Sequence, residues 1–311
     1  MRRAGLVLLP LLLLVLPACA RAGTPAPSPV AAPSTSPAGA AVGVRTITFT
    51  DPSRVTDPTP NQPGDETAGR TLVTTVWYPQ LPARGPFPVV LLSHGLLGTP
   101  TDYQALASRW TAAGFVVVAP AYPLSSRGAA HIQPLDVVNQ PADAAFVLTS
   151  VLRLSAQAGD RFHGLLDTGR VAAAGHSLGG ITTDGLFNTC CRDIRLRAGI
   201  VLAGNWIGFS NTYTGPPAPM LFVHGDRDPI VPIVTGQLTY AAVPWPKGFV
   251  TLEGQTHIDP YLQPASPAFE VVAATTTDFL RWSLRGDRAS LAALRQAAVV
   301  PGLAHFEDRL S

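Results

Sequence analysis

The stretch Val171-Ala172-Ala173-Ala174-Gly175-His176-Ser177-Leu178-Gly179-Gly180 decides how the rest of the chain is read. A short apolar run ends on a Gly-x-Ser-x-Gly pattern, and residues from Ile181 to about Leu186 continue with helical character. A strand that turns sharply into a helix needs glycine on both sides of the turning residue. A side chain at Gly175 or Gly179 would meet the helix or the strand. The serine at such a turn takes a strained backbone and lifts its hydroxyl from the C-terminal edge of the sheet, beside the helix N-terminus. Free amides and the helix dipole favour developing negative charge there. Ser177 is therefore the candidate nucleophile; the plain alternative is a tight βα turn with an incidental serine.

Outward from this turn, strands and helices alternate. Continuous apolar runs at Pro88–Leu92, Phe115–Ala119, Val171–Ala174, Ala198–Ala203 and Met220–Val223 predict central parallel strands covered on both faces. Residues 44–50 and 71–78 alternate apolar and polar side chains, the pattern of half-buried strands. Helices are predicted over Thr101–Ala113, with Gly114 just past the end, and over Pro141–Ala158, with Pro at a first-turn position. Ala268–Leu284 and Ala289–Val299 read as closing helices, and His305, near the C-terminus, is expected in a helix at the surface. The expected class is α/β: a mostly parallel sheet with helices on both faces, antiparallel strands coming first. Residues 204–219 are too few for a large cap domain, so the site should be open.

A serine hydroxyl is a weak nucleophile and needs a base, which in turn needs an orienting carboxylate. Only His224, His257 and His305 follow Ser177. His257 lies just past the strand-like Gly248–Leu252, where a loop can bring it over Ser177, so it is the candidate base. In Leu221-Phe222-Val223-His224-Gly225-Asp226-Arg227-Asp228-Pro229 an apolar strand empties into a turn with two aspartates. Asp228, deeper in the loop, is the candidate acid, and Asp226 is expected to cap its own turn. Leu92-Ser93-His94-Gly95-Leu96-Leu97-Gly98 follows another central strand; its glycines would let the backbone approach a substrate. The Leu96 and Leu178 amides are the expected oxyanion donors, with His94 bracing the loop. His176 is expected to point away from the site. Trp206 and Ile207 either line an acyl pocket or pack beneath their loop.

Composition bounds the alternatives. The chain has 311 residues, 46% hydrophobic and only 14% charged, which excludes a disordered or coiled-coil protein. A net charge of +2 provides no field for nucleic acid. Arg2 and Arg3, the apolar stretch Gly5–Leu16 and the small residues after it have the layout of a secretory signal over residues 1–18. Residues 19–42, rich in Ala, Pro, Ser and Thr, read as a tether, leaving 43–311 as the catalytic domain. No acidic residue precedes Asp51, and a chain starting at Cys19 would hold 20 basic and 20 acidic residues. The remaining cysteines, Cys190 and Cys191, are adjacent; a vicinal disulfide and two thiols are both open, and no metal site is expected around them.

Together, these motifs resemble the α/β-hydrolase superfamily over nearly all of residues 44–285. Within it, Val76-Trp77-Tyr78-Pro79, the Ser93-His94-Gly95 loop and Gly175–Gly180 are similar to dienelactone-hydrolase-like, platelet-activating-factor-acetylhydrolase-like and chlorophyllase-like secreted esterases. Leu16-Pro17-Ala18-Cys19 resembles the lipobox of bacterial lipoproteins, which implies an exported protein anchored through lipidated Cys19; simple secretion is the alternative. The resemblance implies a monomeric, cofactor-free and metal-free serine hydrolase acting on small-molecule or lipid esters, neutral or apolar. Acyl transfer on the same scaffold, polyester or lipid hydrolysis, and a non-catalytic lipoprotein binding apolar ligands are the other readings.

Overall fold

In the computed structural model, residues 41–60, 64–80 and 85–310 are described; the signal segment, Cys19 and nearly all of the tether lie outside them. The apolar runs form the middle of one nine-stranded sheet. Two antiparallel strands, β1 (Val42–Thr56) and β2 (Thr67–Pro79), precede β3 (Phe87–Ser93), α1 (Gln104–Ala112), β4 (Val116–Ala121) and α2 (Gln140–Leu154). Then come β5 (Leu166–His176), α3 (Leu178–Gly185), β6 (Leu196–Leu202), β7 (Met220–Gly225), α4 (Ile233–Ala242) and β8 (Lys247–Leu252). The chain closes with α5 (Asp259–Leu262), α6 (Pro267–Arg285), α7 (Arg288–Ala297) and β9 (Ala304–Arg309).

The strand order is β1-β2-β4-β3-β5-β6-β7-β8-β9. Strands β4, β3, β5, β6, β7 and β8 run parallel, while β1, β2 and β9 supply the antiparallel pairings. Side-chain alternation divides each apolar run between two cores. Val90 and Leu92 of β3 face Trp110 of α1 and Phe279 and Leu280 of α6. Val89 and Leu91 face Val147 and Leu148 of α2 and Phe187 just past α3. Both faces are therefore covered, as continuous apolar strands require. Buried Arg70 of β2 pairs with Asp136 and Asp143 at 2.6 Å each, locking β2 to the start of α2.

Several elements differ from their predicted form. His305 lies on β9, exposed and opposite Thr251 of β8, because Ala304–Arg309 pairs as an antiparallel edge strand. The first predicted helix begins as a 3-10 turn, Pro100–Tyr103, before α1 takes over. Helix α2 stops at Leu154, where the Ser155, Ala156 and Gln157 amides turn to carbonyls three residues back instead of four. Strand β5 starts at Leu166, paired with Phe87, and reaches Val171 through a register shift.

From β3 the chain moves outward to β4 and then returns to β5 on the other side of β3. The loops after β3 and β5 thus leave in opposite directions. Such a reversal opens a crevice at the carboxyl ends of the strands. Both glycine-rich motifs sit at this crevice.

Candidate active site

Ser177 stands between β5 and α3 with φ 57° and ψ −122°, a conformation side chains rarely adopt. Its amide donates to the Leu202 carbonyl at 2.9 Å, tying the turn to β6. A Cβ on Gly175 would lie 2.0 Å from the Gly179 carbonyl oxygen, and one on Gly179 would lie 2.1 Å from that of Ser93. The first clash is with the helix and the second with the end of β3. Both glycines are therefore required by backbone contact. The loop after β3 also comes near, if less tightly: a Cβ on Gly95 would lie 3.2 Å from Ser177 Cβ.

The loops after β7 and β8 supply a carboxylate–imidazole pair. His257 Nδ1 donates to Asp228 Oδ2 at 2.6 Å, and both residues are buried. The other oxygen, Oδ1, accepts the Ile230 and Val231 amides at 2.8 Å each. One carboxylate thus shapes its own turn and orients the imidazole. Burial pushes the Asp228 carboxyl up, but hydrogen bonds from His224, His257 and the Val231 and Ile230 amides outweigh it and hold it well below the usual range. The charge on Asp228 keeps the hydrogen on Nδ1 of His257, leaving Nε2 as the basic nitrogen. Asp226 serves differently from expectation: its Oδ1 accepts the Gly254 amide at 2.7 Å, joining the β7 and β8 loops rather than capping its own turn.

Ser177 and His257 line one cleft of about 530 Å³, together with Leu96 and Leu97. Leu97 has φ 58° and donates its amide to the Ser125 carbonyl at 2.7 Å. Among the described residues, the Leu96 and Leu178 amides have no protein acceptor, and Leu178 is the first residue of α3. His94 braces the loop as expected: Nδ1 donates to the Gly95 carbonyl at 2.8 Å, and Nε2 accepts the Tyr122 amide at 3.1 Å, while the Ser126 hydroxyl beside it donates to the Tyr122 carbonyl. Burial pushes His94 down to about 4, so it stays neutral and keeps that pattern.

Two expectations are corrected. Trp206 and Ile207 do not line the cleft. Their loop folds over the far end of α3, with Phe209 against Gly185 and Tyr213 Oη donating to Asp184 at 2.7 Å. The apolar lining comes instead from Leu96, Leu97, Ile230, Ile258 and Leu262. Ile230 and Ile258 follow Asp228 and His257 closely in sequence, which is the signal that would have found them. His176, expected to point away, lies under the site, its ring 4.8 Å from that of His257 and 4.7 Å from that of Tyr261.

Cys190 and Cys191 form a vicinal disulfide in the turn after α3. A second cavity, about 320 Å³, lies beside β8 and β9 between Tyr240, Phe249, His305 and Glu307, and holds no serine. Among the described residues, no group of three or more His, Cys, Asp or Glu is placed to hold a metal ion, and no helix is long and apolar enough to cross a membrane. Compared with known proteins, the chain matches no family model and no curated sequence.

Proposed function

We propose that this chain is a serine carboxylic-ester hydrolase with the α/β-hydrolase fold. One observation carries the reading: a strained serine at a strand-to-helix turn shares its cleft with a histidine bonded at 2.6 Å to a buried carboxylate. In that reading His257 Nε2 takes the Ser177 proton as Oγ attacks the ester carbonyl. Asp228 stabilises the imidazolium that forms and holds its ring. The Leu96 and Leu178 amides receive the tetrahedral oxyanion, a contact whose loss costs about 10²–10³-fold in turnover. The imidazolium protonates the departing alcohol, and a water activated by the same histidine hydrolyses the acyl-enzyme.

The aliphatic lining and the balanced charge from Cys19 onward favour neutral or apolar esters, small molecules or lipids. The N-terminal sequence pattern supports export, with lipidated Cys19 as anchor. The test is hydrolysis of p-nitrophenyl acetate, butyrate and octanoate by the purified protein. Turnover is expected on at least one ester, and Ser177→Ala should lower it by about 10⁴–10⁶-fold. No turnover on any of them by the folded protein, or turnover that survives Ser177→Ala, overturns the reading.

A further inference from the structure

The mechanism leaves two buried polar side chains unused, and they connect its two halves. Gly95, at the start of the oxyanion loop, donates its amide to Tyr103 Oη at 3.0 Å. Tyr103 Oη lies 2.8 Å from His176 Nδ1, and His176 Nε2 lies 2.8 Å from the carbonyl oxygen of His257. The hydrogens in this chain have only one consistent order. A carbonyl only accepts, so His176 Nε2 carries the hydrogen. In a neutral imidazole Nδ1 then accepts, so the Tyr103 hydroxyl donates to it and its oxygen is free to accept from Gly95. Burial, with the neighbouring His257, pushes His176 down to about 3, which keeps it neutral and the order intact. Tyr103 and His176 are each 2% exposed, and both lie along the wall of the cleft.

We propose that Tyr103 and His176 are positioning residues that hold the oxyanion loop and the His257 loop in register, so that donor amide and base close on one reacting carbonyl together. The inference rests on the esterase reading above. The geometry favours this role over simple core filling. The bonds end on backbone atoms of the two functional loops, at Gly95 and at His257 itself. They cross from the loop after β3 to the loop after β8, strands separated in the sheet by β5, β6 and β7. His176 is also clamped between the rings of His257 and Tyr261, and Tyr261 Oη donates to the Val223 carbonyl of β7 at 3.1 Å. Movement of either loop therefore disturbs the other through side chains that do not carry out chemistry themselves. Misplacement of reacting groups by about 1 Å costs on the order of 100-fold in rate.

The experiment compares wild type with Tyr103→Phe, His176→Gln and His176→Phe in the full chain. It reads kcat and KM on a p-nitrophenyl ester, the rate of Ser177 phosphonylation by a fluorophosphonate, and the thermal midpoint. Tyr103→Phe removes one oxygen and both of its bonds. It should melt cooperatively, lose about 10–100-fold in kcat and in phosphonylation rate, and keep KM within about threefold. His176→Gln retains an N–H for the His257 carbonyl and should be faster than His176→Phe. A folded Tyr103→Phe that turns over and labels at the wild-type rate, or whose loss falls on KM alone, overturns the inference and leaves the esterase reading standing. If Tyr103→Phe does not fold, equal rates for the two His176 variants overturn it. A wild-type protein that is folded but unlabelled overturns both.

Discussion

At the scale of single residues, each functional group is held by a contact it does not choose. Ser177 sits at φ 57°, a strain of about 1–3 kcal/mol that persists because its amide is bound to Leu202 and because Gly175 and Gly179 leave room for the tight turn. That Ser177, Asp228 and His257 lie near one another was legible in the sequence, because each follows an apolar run that reads as a central strand. His176 was not. Alternation along β5 puts it on the same side as Ala172 and Ala174, facing the core of α1 and α6, and there the His257 loop closes over it. Asp184 of α3 was equally hidden, since nothing in its helical context announces burial. It is fully buried, with Oδ1 bonded to Tyr213 and Oδ2 without a partner among the described residues, and burial pushes it up to about 7. The folded state then holds a proton that the unfolded chain has released. The stabilising effect of that proton is complete below pH 3.8 and is lost as pH rises through 7. Asp184→Asn should flatten the fall in thermal midpoint between pH 4 and pH 8 and melt several degrees above wild type at pH 8. Thermal melts at pH 4, 6 and 8 check it; a slope equal to wild type contradicts it.

At the scale of elements, what could be read depended on how many faces an element buries. The central strands were plain because burial on both sides leaves an uninterrupted apolar run, as in β3 and β7, where every residue is buried. Strand β9 was misread because it pairs only with β8 and leaves most of Ala304–Arg309 exposed, so it carries charge and no run. Charged residues at an edge also discourage pairing with another chain. The strand-to-helix turn around Ser177 tolerates little change. At Gly175 an added methyl meets backbone at 2.0 Å, so neither neighbour can give way by rotating a side chain. Gly175→Ala should destabilise the fold by about 3 kcal/mol or more. Gly169→Ala, in the same strand but with its nearest atom at 3.5 Å, should change stability by less than about 1 kcal/mol. Urea unfolding of the pair decides; equal midpoints contradict the steric reading.

At the scale of the whole molecule, one topological event arranges the site. The return of the chain from β4 to β5 across β3 opens a crevice, and the loops after β3, β5, β7 and β8 bring Leu96, Ser177, Asp228 and His257 to that end of the sheet. The sequence motifs named these residues; the order of the strands, which local pattern does not encode, explains why they meet. Of the two readings left open for Trp206 and Ile207, cleft lining is the one not seen, because their loop follows β6 but folds over α3. The central claim is that Ser177 is a nucleophile activated by His257. Its most direct test is intact-mass spectrometry of the purified protein after exposure to a fluorophosphonate, with peptide mapping of the adduct. The predicted result is one adduct per chain, on Ser177, absent in Ser177→Ala and formed far more slowly in His257→Ala. A cooperatively folded protein that takes up no label, or takes it on another residue, contradicts the claim.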